Sequence, residues 1–447
     1  MFLLLLSFPA FCGGPILVDD FGSGEPSRWP FDARSKKWVI HWKVDKGPLN
    51  SKINNQTAID QWVKPLLEKW KNAALPIAGS DQPQTTVALD FVFDGKLDID
   101  VTADDTKFLS ADINDPLPTV IIFDEDGSIT QKHFGTIACG EAKNCIAGFA
   151  FPIKRDASTK QILRGFVVLN GSLVDGINTA DNKEMNPDQF KGVILHEMGH
   201  LLNLDHTQVN VEMAESCISF DCAGGDAIPT MYSASLSREQ FLFHRDDIIA
   251  ISSLYPSQVF QQNFCTIQGN VLNDKGEPMG GVNVIARNIK DPILDARSMV
   301  TGNLYPASSK DGQYFLPGIV PGQDYEVIFE ELLQKYNDGG GFSPMGLDKP
   351  TGFGMGHIAL GNGAASVRCN RGGEVIQIPS FKMAAVAVPG ADPGASPLPA
   401  STVTEKKGWC QLNPKAERPS DIDWFLIFSS LSFGLLFVAW RCYKQPK

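Results

Sequence analysis

The chain has 447 residues, more than one hydrophobic core usually holds, and this points to two or three domains. Apolar residues at 43% and charged residues at 20% place it with globular rather than disordered proteins. A net charge of −12, with no basic stripe, leaves no electrostatic footprint for nucleic acid, and none is expected as a partner.

In chain order, residues 1–12 lie in the apolar run MFLLLLSFPAFCGG and read as a secretory signal peptide. Residues 13–36 form an N-terminal extension. Residues 37–46 (KWVIHWKVDK) alternate apolar and polar, as a half-buried strand does. A helix follows, with Thr57 as its expected N-cap and Ile59, Trp62, Val63, Leu66 and Trp70 at helical spacing; Pro65 inside it predicts a kink or a late start. Strand-like runs follow at 87–93, 119–123, 146–153 and 165–170. A second helix is expected over 187–203, with Asn186 as cap, Pro187 in its first position and Gln189 completing a capping box. A third is expected from about Asp246 to Tyr255. The pattern of strand, helix, several strands and helix implies an α/β domain over 37–257 with one twisted mixed sheet and long helices.

From Cys265 to about residue 383, Gly, Pro and short β-like runs dominate, which implies a β-sandwich over 265–383. Residues 384–421 read as a Pro/Ala/Ser-rich stalk. Residues 424–440 (WFLIFSSLSFGLLFVAW) are uncharged and flanked by Trp424 and Trp440, which predicts a single transmembrane helix with 441–447 as a cytoplasmic tail. Signal peptide and anchor together imply export and a single-pass membrane protein with its N-terminal part outside the cytoplasm, at the cell surface or in the periplasm. The alternative is secretion after removal of the C-terminal segment. Nine cysteines without C-x-x-C spacing fit disulfides better than a cysteine zinc site: Cys139 lies near Cys145, Cys217 near Cys222, and Cys265 and Cys369 bracket a later segment.

Chemistry concentrates in residues 196–206, HEMGHLLNLDH, which hold three of the seven histidines. His196 and His200 are four apart on a helix, so their imidazoles share one face and can grip one Zn²⁺. Glu197 lies beside the first ligand, placed for general-base work rather than ligation. His206 can join only if the chain turns back after His200, and Asn203 lies where such a turn needs a positive φ. His41, His133, His244 and His357 are read as ordinary histidines.

This run resembles the metzincin zinc-peptidase motif, H-E-x-x-H-x-x-G-x-x-H, with Asn203 in place of the usual Gly. Met231, in PTMY, resembles the Met-turn methionine. Thr207 after the third His, Tyr232 after the methionine and HRDDIIAISSLYP (244–256) resemble the matrixin branch most closely. AGFAFP (147–152) is similar to the edge strand that aligns substrate, which assigns Gly148, Phe149, Ala150 and Phe151 to substrate binding. Residues 265–330 resemble the carboxypeptidase regulatory-like, transthyretin-like sandwich, with Val282, Val284, Tyr314, Leu316, Tyr325 and Val327 as core positions. The resemblances imply a metzincin-type catalytic domain, one catalytic zinc on His196, His200 and His206, Glu197 as general base, and protein or peptide substrates. No calcium-loop motif is present, and a structural Ca²⁺ stays open. The competing reading is a non-catalytic surface adhesion or binding protein with a structural zinc.

Overall fold

A computed structural model describes residues 14–18, 25–110, 117–135, 146–156, 158–178, 184–216, 225–233, 238–302, 312–331, 356–357 and 366–383. After β1 (Phe31–Asp32), the alternating run becomes β2 (Lys37–Val44), which buries Ile40, Trp42 and Val44 and exposes His41 between them. The helical stretch that follows is not one regular helix. It comprises α1 (Asn55–Thr57), a π-helical segment Ala58–Val63, and α2 (Lys64–Lys71). Asn54, not Thr57, caps it, accepting from the Thr57 N–H. Pro65 has no N–H and crowds the carbonyl four residues back. Just before it the turn widens, and the Lys64 N–H reaches Ile59 O, five residues back.

A small hairpin, β3 (Ala74–Leu75) and β4 (Gln84–Thr85), precedes β5 (Leu89–Lys96), β6 (Val120–Asp124), α3 (Ser128–Phe134), β7 (Gly148–Arg155) and β8 (Ile162–Asn170). The main sheet has the order β1-β2-β6-β8-β7, with β5 also paired to β2. Pairs β2–β5, β2–β6 and β6–β8 are parallel; β7–β8 is antiparallel and leaves β7 at the edge. Central β6 is buried along its whole length, as a strand covered on both faces must be. Helices α4 (Pro187–Leu201), α5 (Val211–Ser216), α6 (Arg245–Leu254) and α7 (Gln258–Asn263) follow.

The rest is β-structure. β9 (Cys265–Leu272), β12 (Gln313–Ile319), β16 (Val375–Gln377) and β17 (Phe381–Lys382) form one sheet. β10 (Val282–Asn288), β11 (Asp291–Val300), β13 (Asp324–Glu331), β14 (Gly356–His357) and β15 (Val367–Arg368) form the other. Strand β9 buries every second residue. The rings of Tyr314 on β12 and Phe329 on β13 meet at 5.8 Å between the sheets. All six core positions named from the sequence in this segment are buried. Cys265 and Cys369 are disulfide-bonded. Cys139, Cys145, Cys217 and Cys222 lie outside the described residues.

The expected architecture of a metzincin-type α/β domain with long helices and a C-terminal transmembrane helix is corrected. The described residues are strand-rich: seventeen strands stand against seven α-helices, of which only α4, at fifteen residues, exceeds ten. Among the described residues no helix is long and apolar enough to cross a membrane. The longest, α4, carries His196, Glu197 and His200 within its apolar stretch. The assignment as a single-pass membrane protein with an outside N-terminal part is corrected with it. The signal segment 1–12, stalk 384–421, anchor 424–440 and tail 441–447 lie outside the described residues.

The Cys265–Cys369 bond closes a loop of 104 residues, so opening it frees much unfolded-chain entropy. Replacing both cysteines by serine is expected to remove about 2–4 kcal/mol of stability. Denaturant melts of the two forms check this, and coincident midpoints would show that the bond contributes nothing.

A candidate metal centre at the end of helix α4

Helix α4 starts as its sequence dictates. The Asn186 side chain accepts from the Asp188 N–H at 2.9 Å, and Gln189 Oε1 accepts from the Asn186 N–H at 3.3 Å. Apolar residues all round make it an interior helix, buried almost continuously from Gln189 to Leu201. Its carbonyls meet large buried donors. Trp70 Nε1 donates to Leu195 O, Trp29 Nε1 to Leu201 O and the Tyr255 hydroxyl to Leu202 O, at 2.9–3.0 Å. The last two carbonyls lie past the reach of intrahelical N–H groups, so these donors supply what a helix end lacks.

The chain then reverses at Asn203, at φ 73°. Glycine would adopt this conformation freely, but asparagine does more. Its Oδ1 accepts from the Leu17 N–H at 2.7 Å, and its Nδ2 donates to Leu17 O at 3.0 Å and Ser27 O at 2.9 Å. The Ile16 N–H donates to Asn203 O and the Asp205 N–H to Gly14 O, so residues 14–18 run beside the turn.

The reversal brings His206 against the two helical histidines. Its Nε2 lies 3.2 Å from that of His196 and 3.1 Å from that of His200. Three nitrogens around a tetrahedral Zn²⁺ at ~2.0–2.1 Å would stand about 3.3 Å apart, so the spacing fits one ion. The described residues thus contain a group, His196, His200 and His206, that could hold a metal ion. The donor chemistry fits too. His196 Nδ1 faces Thr230 O at 2.7 Å and His200 Nδ1 faces Leu204 O at 2.8 Å. Protonated there, both rings turn an Nε2 lone pair toward the common point. Burial holds all three imidazoles neutral. His196 is lowered to about 3 and His200 to about 4, and His206 lies well below the ordinary histidine value. Facing buried lone pairs are costly without a shared proton or a cation.

Glu197 is 1% exposed, and neither carboxylate oxygen has a hydrogen-bond partner among the described residues. Burial pushes its carboxyl up to about 8. Edge strand β7 passes directly over it: a Cβ on Gly148 would stand 2.9 Å from Glu197 Cγ, so only glycine lets the strand approach this closely. Phe149, Ala150 and Phe151 continue the strand, half-buried. Beneath the helix, a Cβ on Gly199 would stand 2.3 Å from the Met231 Sδ. The buried thioether thus sits against the helix between the two ligand positions.

Several supporting residues were not singled out from the sequence. Asp247 accepts from the backbone N–H groups of Thr230, Met231 and His244, each at 2.9 Å, and so fixes the turn whose carbonyl orients His196. Asp246 accepts from the Thr207 hydroxyl at 2.6 Å. His244, read as ordinary, caps α6: its Nδ1 accepts from the Asp246 N–H. The H-x-x-D spacing of His244 and Asp247 is a capping-box signal that could have revealed this pair.

No protein-family model and no curated protein matches the sequence. Among solved structures, the major pilin subunit BcpA of Bacillus cereus is similar at 12% identity and a TM-score of 0.15, over 27% of this chain and 29% of that one. A dioxygenase domain from Streptomyces sp. SirexAA-E is similar at 16% identity and a TM-score of 0.17, over 28% of this chain and 84% of that one. The group B streptococcus pilus 2b backbone protein is similar at 13% identity and a TM-score of 0.16, over 26% and 40%. The chain spans less than a third of the length of the first of these. At such scores the likenesses carry no argument about this chain.

If Asn203 serves through its side chain as well as its backbone, Asn203→Gly keeps the turn but loses three hydrogen bonds. The expected loss is about 1–3 kcal/mol at roughly 1 kcal/mol per bond, and Asn203→Ala, which adds strain at positive φ, is expected to lose more. Thermal melts of the three forms check the order; equal stability of wild type and the glycine variant would remove the role of the side chain.

Proposed function

We propose that the centre holds zinc and that the chain is a zinc-dependent endopeptidase, as its metzincin-like motif implies. The observation that carries the reading is the Glu197 carboxylate, buried on the helix that carries His196 and His200, with both oxygens unpartnered among the described residues. A merely structural metal site has no use for such a group, whereas hydrolysis needs a base there.

When bound, zinc supplies a Lewis acid that polarises the scissile carbonyl and acidifies a water. Glu197 accepts the proton of the attacking water and delivers it to the leaving amine. His196 and His200 keep their orientation through Thr230 O and Leu204 O, so the site is aligned before substrate arrives. The outer edge of β7 pairs with no strand among the described residues. An extended peptide can add there through its backbone, with Gly148 bringing it close to Glu197. Such binding favours flexible or unfolded protein segments.

The deciding measurement is bound zinc together with cleavage of an unfolded protein. The wild type is expected to carry one equivalent of zinc and to cleave. Glu197→Ala is expected to keep the metal and to lose activity by at least ~10²–10⁴-fold. His206→Ala is expected to lose both. One equivalent of zinc with no hydrolysis by the wild type would instead make the protein a binding module with a structural ion.

A further inference from the structure

The loop that leaves the third histidine is built into the second sheet. Val209, fully buried, sits among Ile285, Ala296 and Ile328 of β10, β11 and β13. Asn283 Nδ2 donates to Gln208 O at 3.2 Å. Asn210 Nδ2 donates to Ile293 O at 3.0 Å, and Arg287 Nη1 donates to Asn210 Oδ1 at 2.6 Å. Residues 208, 209 and 210 thus each end on this sheet, and they begin two positions after His206.

The same sheet reaches the centre by a second route. β11 is the terminal strand of its sheet. The Ser298 N–H on that strand donates to Asp246 Oδ1 at 3.0 Å. The other oxygen of Asp246 accepts from the Thr207 hydroxyl, and the Thr207 N–H donates to Met231 O at 3.0 Å. The His244 Nε2 of the adjoining cap faces Ile293 O at 2.9 Å. Arg245 pairs with the buried Asp295 nearby.

We propose that the second β-sheet is a working part of the metal centre, holding His206 in ligating position through Val209 and through the Ser298–Asp246–Thr207 chain. It is therefore not a spacer, and Asp246 and Val209 are positioning residues. The inference rests on the reading of the three histidines as a metal site. Its consequence is that undocking the sheet loosens the third ligand and releases the metal while His196 and His200 stay on their helix.

The test uses the full chain and zinc alone, with the dissociation constant read by chelator competition. Asp246→Ala and Val209→Ala are expected to weaken zinc binding about 10- to 100-fold, the usual range for groups that orient ligands. Arg368→Ala, which cuts an exposed ion pair with Asp324 on the same sheet, is expected to bind as wild type. Asp246→Asn keeps the shape and one acceptor, so it should fold where the alanine variant fails and bind between the two. The visible spectrum of the cobalt-loaded protein adds a readout that plain loss of stability would not move, and it should change in the Asp246 and Val209 variants only. Wild-type affinity and an unchanged cobalt spectrum in folded variants would overturn the inference, as would equal weakening in Arg368→Ala. A wild type that binds no zinc would overturn the metal reading itself, and this inference with it.

Discussion

A helix can present two imidazoles to one point but not a third six residues later, so the centre depends on reversing the chain directly after α4. Asn203 makes that reversal at positive φ. The rest of the neighbourhood answers to it. Leu202 O, exposed by the reversal, is met by Tyr255, and Leu201 O by Trp29. Pro15 pairs with Leu204 where the chain returns. Without the turn the first two histidines would remain a helical pair with no third donor.

Around the turn most polar groups are paired, several of them with residues far away in sequence. Asp247 takes three backbone N–H groups, and Asn203 makes three side-chain bonds of its own. Buried polar atoms without partners occur elsewhere among the described residues too, Trp42 Nε1, Asp45 Oδ2 and Tyr314 OH among them, and three lie at the centre. Both Glu197 oxygens and His206 Nδ1 are buried without partners among the described residues. Buried polar atoms are normally satisfied, so an acid left unpaired on the helix that carries two of the converging imidazoles is the group that the proposed hydrolysis would use.

What could be read from the sequence followed from short-range rules. The start of α4 was legible because capping is decided within four residues, and the histidine spacing because helical geometry is. The alternation of β2 announced its buried face. What could not be read was long-range. Asn203 looked like a replacement for glycine, yet its side chain serves residues 176 and 186 positions away. Asp246 looked like part of a helix start, yet it receives Ser298 from 52 residues downstream. The first helix was misjudged at its cap and at its π-helical middle, since periodicity counts apolar residues but does not see how a proline ring is accommodated. The membrane assignment failed for a different reason: it rested on terminal segments, and the described helices are too short and polar to stand in for them.

The turn at Asn203 draws one partner from residue 17 and, through Thr207 and Asp246, another from residue 298. These are distant in the order of synthesis. During translation the helix carrying His196 and His200 emerges well before the strand that steadies His206. The nascent chain must therefore pass through a stage with two donors in place and the third unrestrained. Centres assembled from such non-local contacts form late. A chain of this design completes the His196, His200 and His206 group only after its β-rich second half has left the ribosome, which would tie the capture of any ion there to the completion of folding.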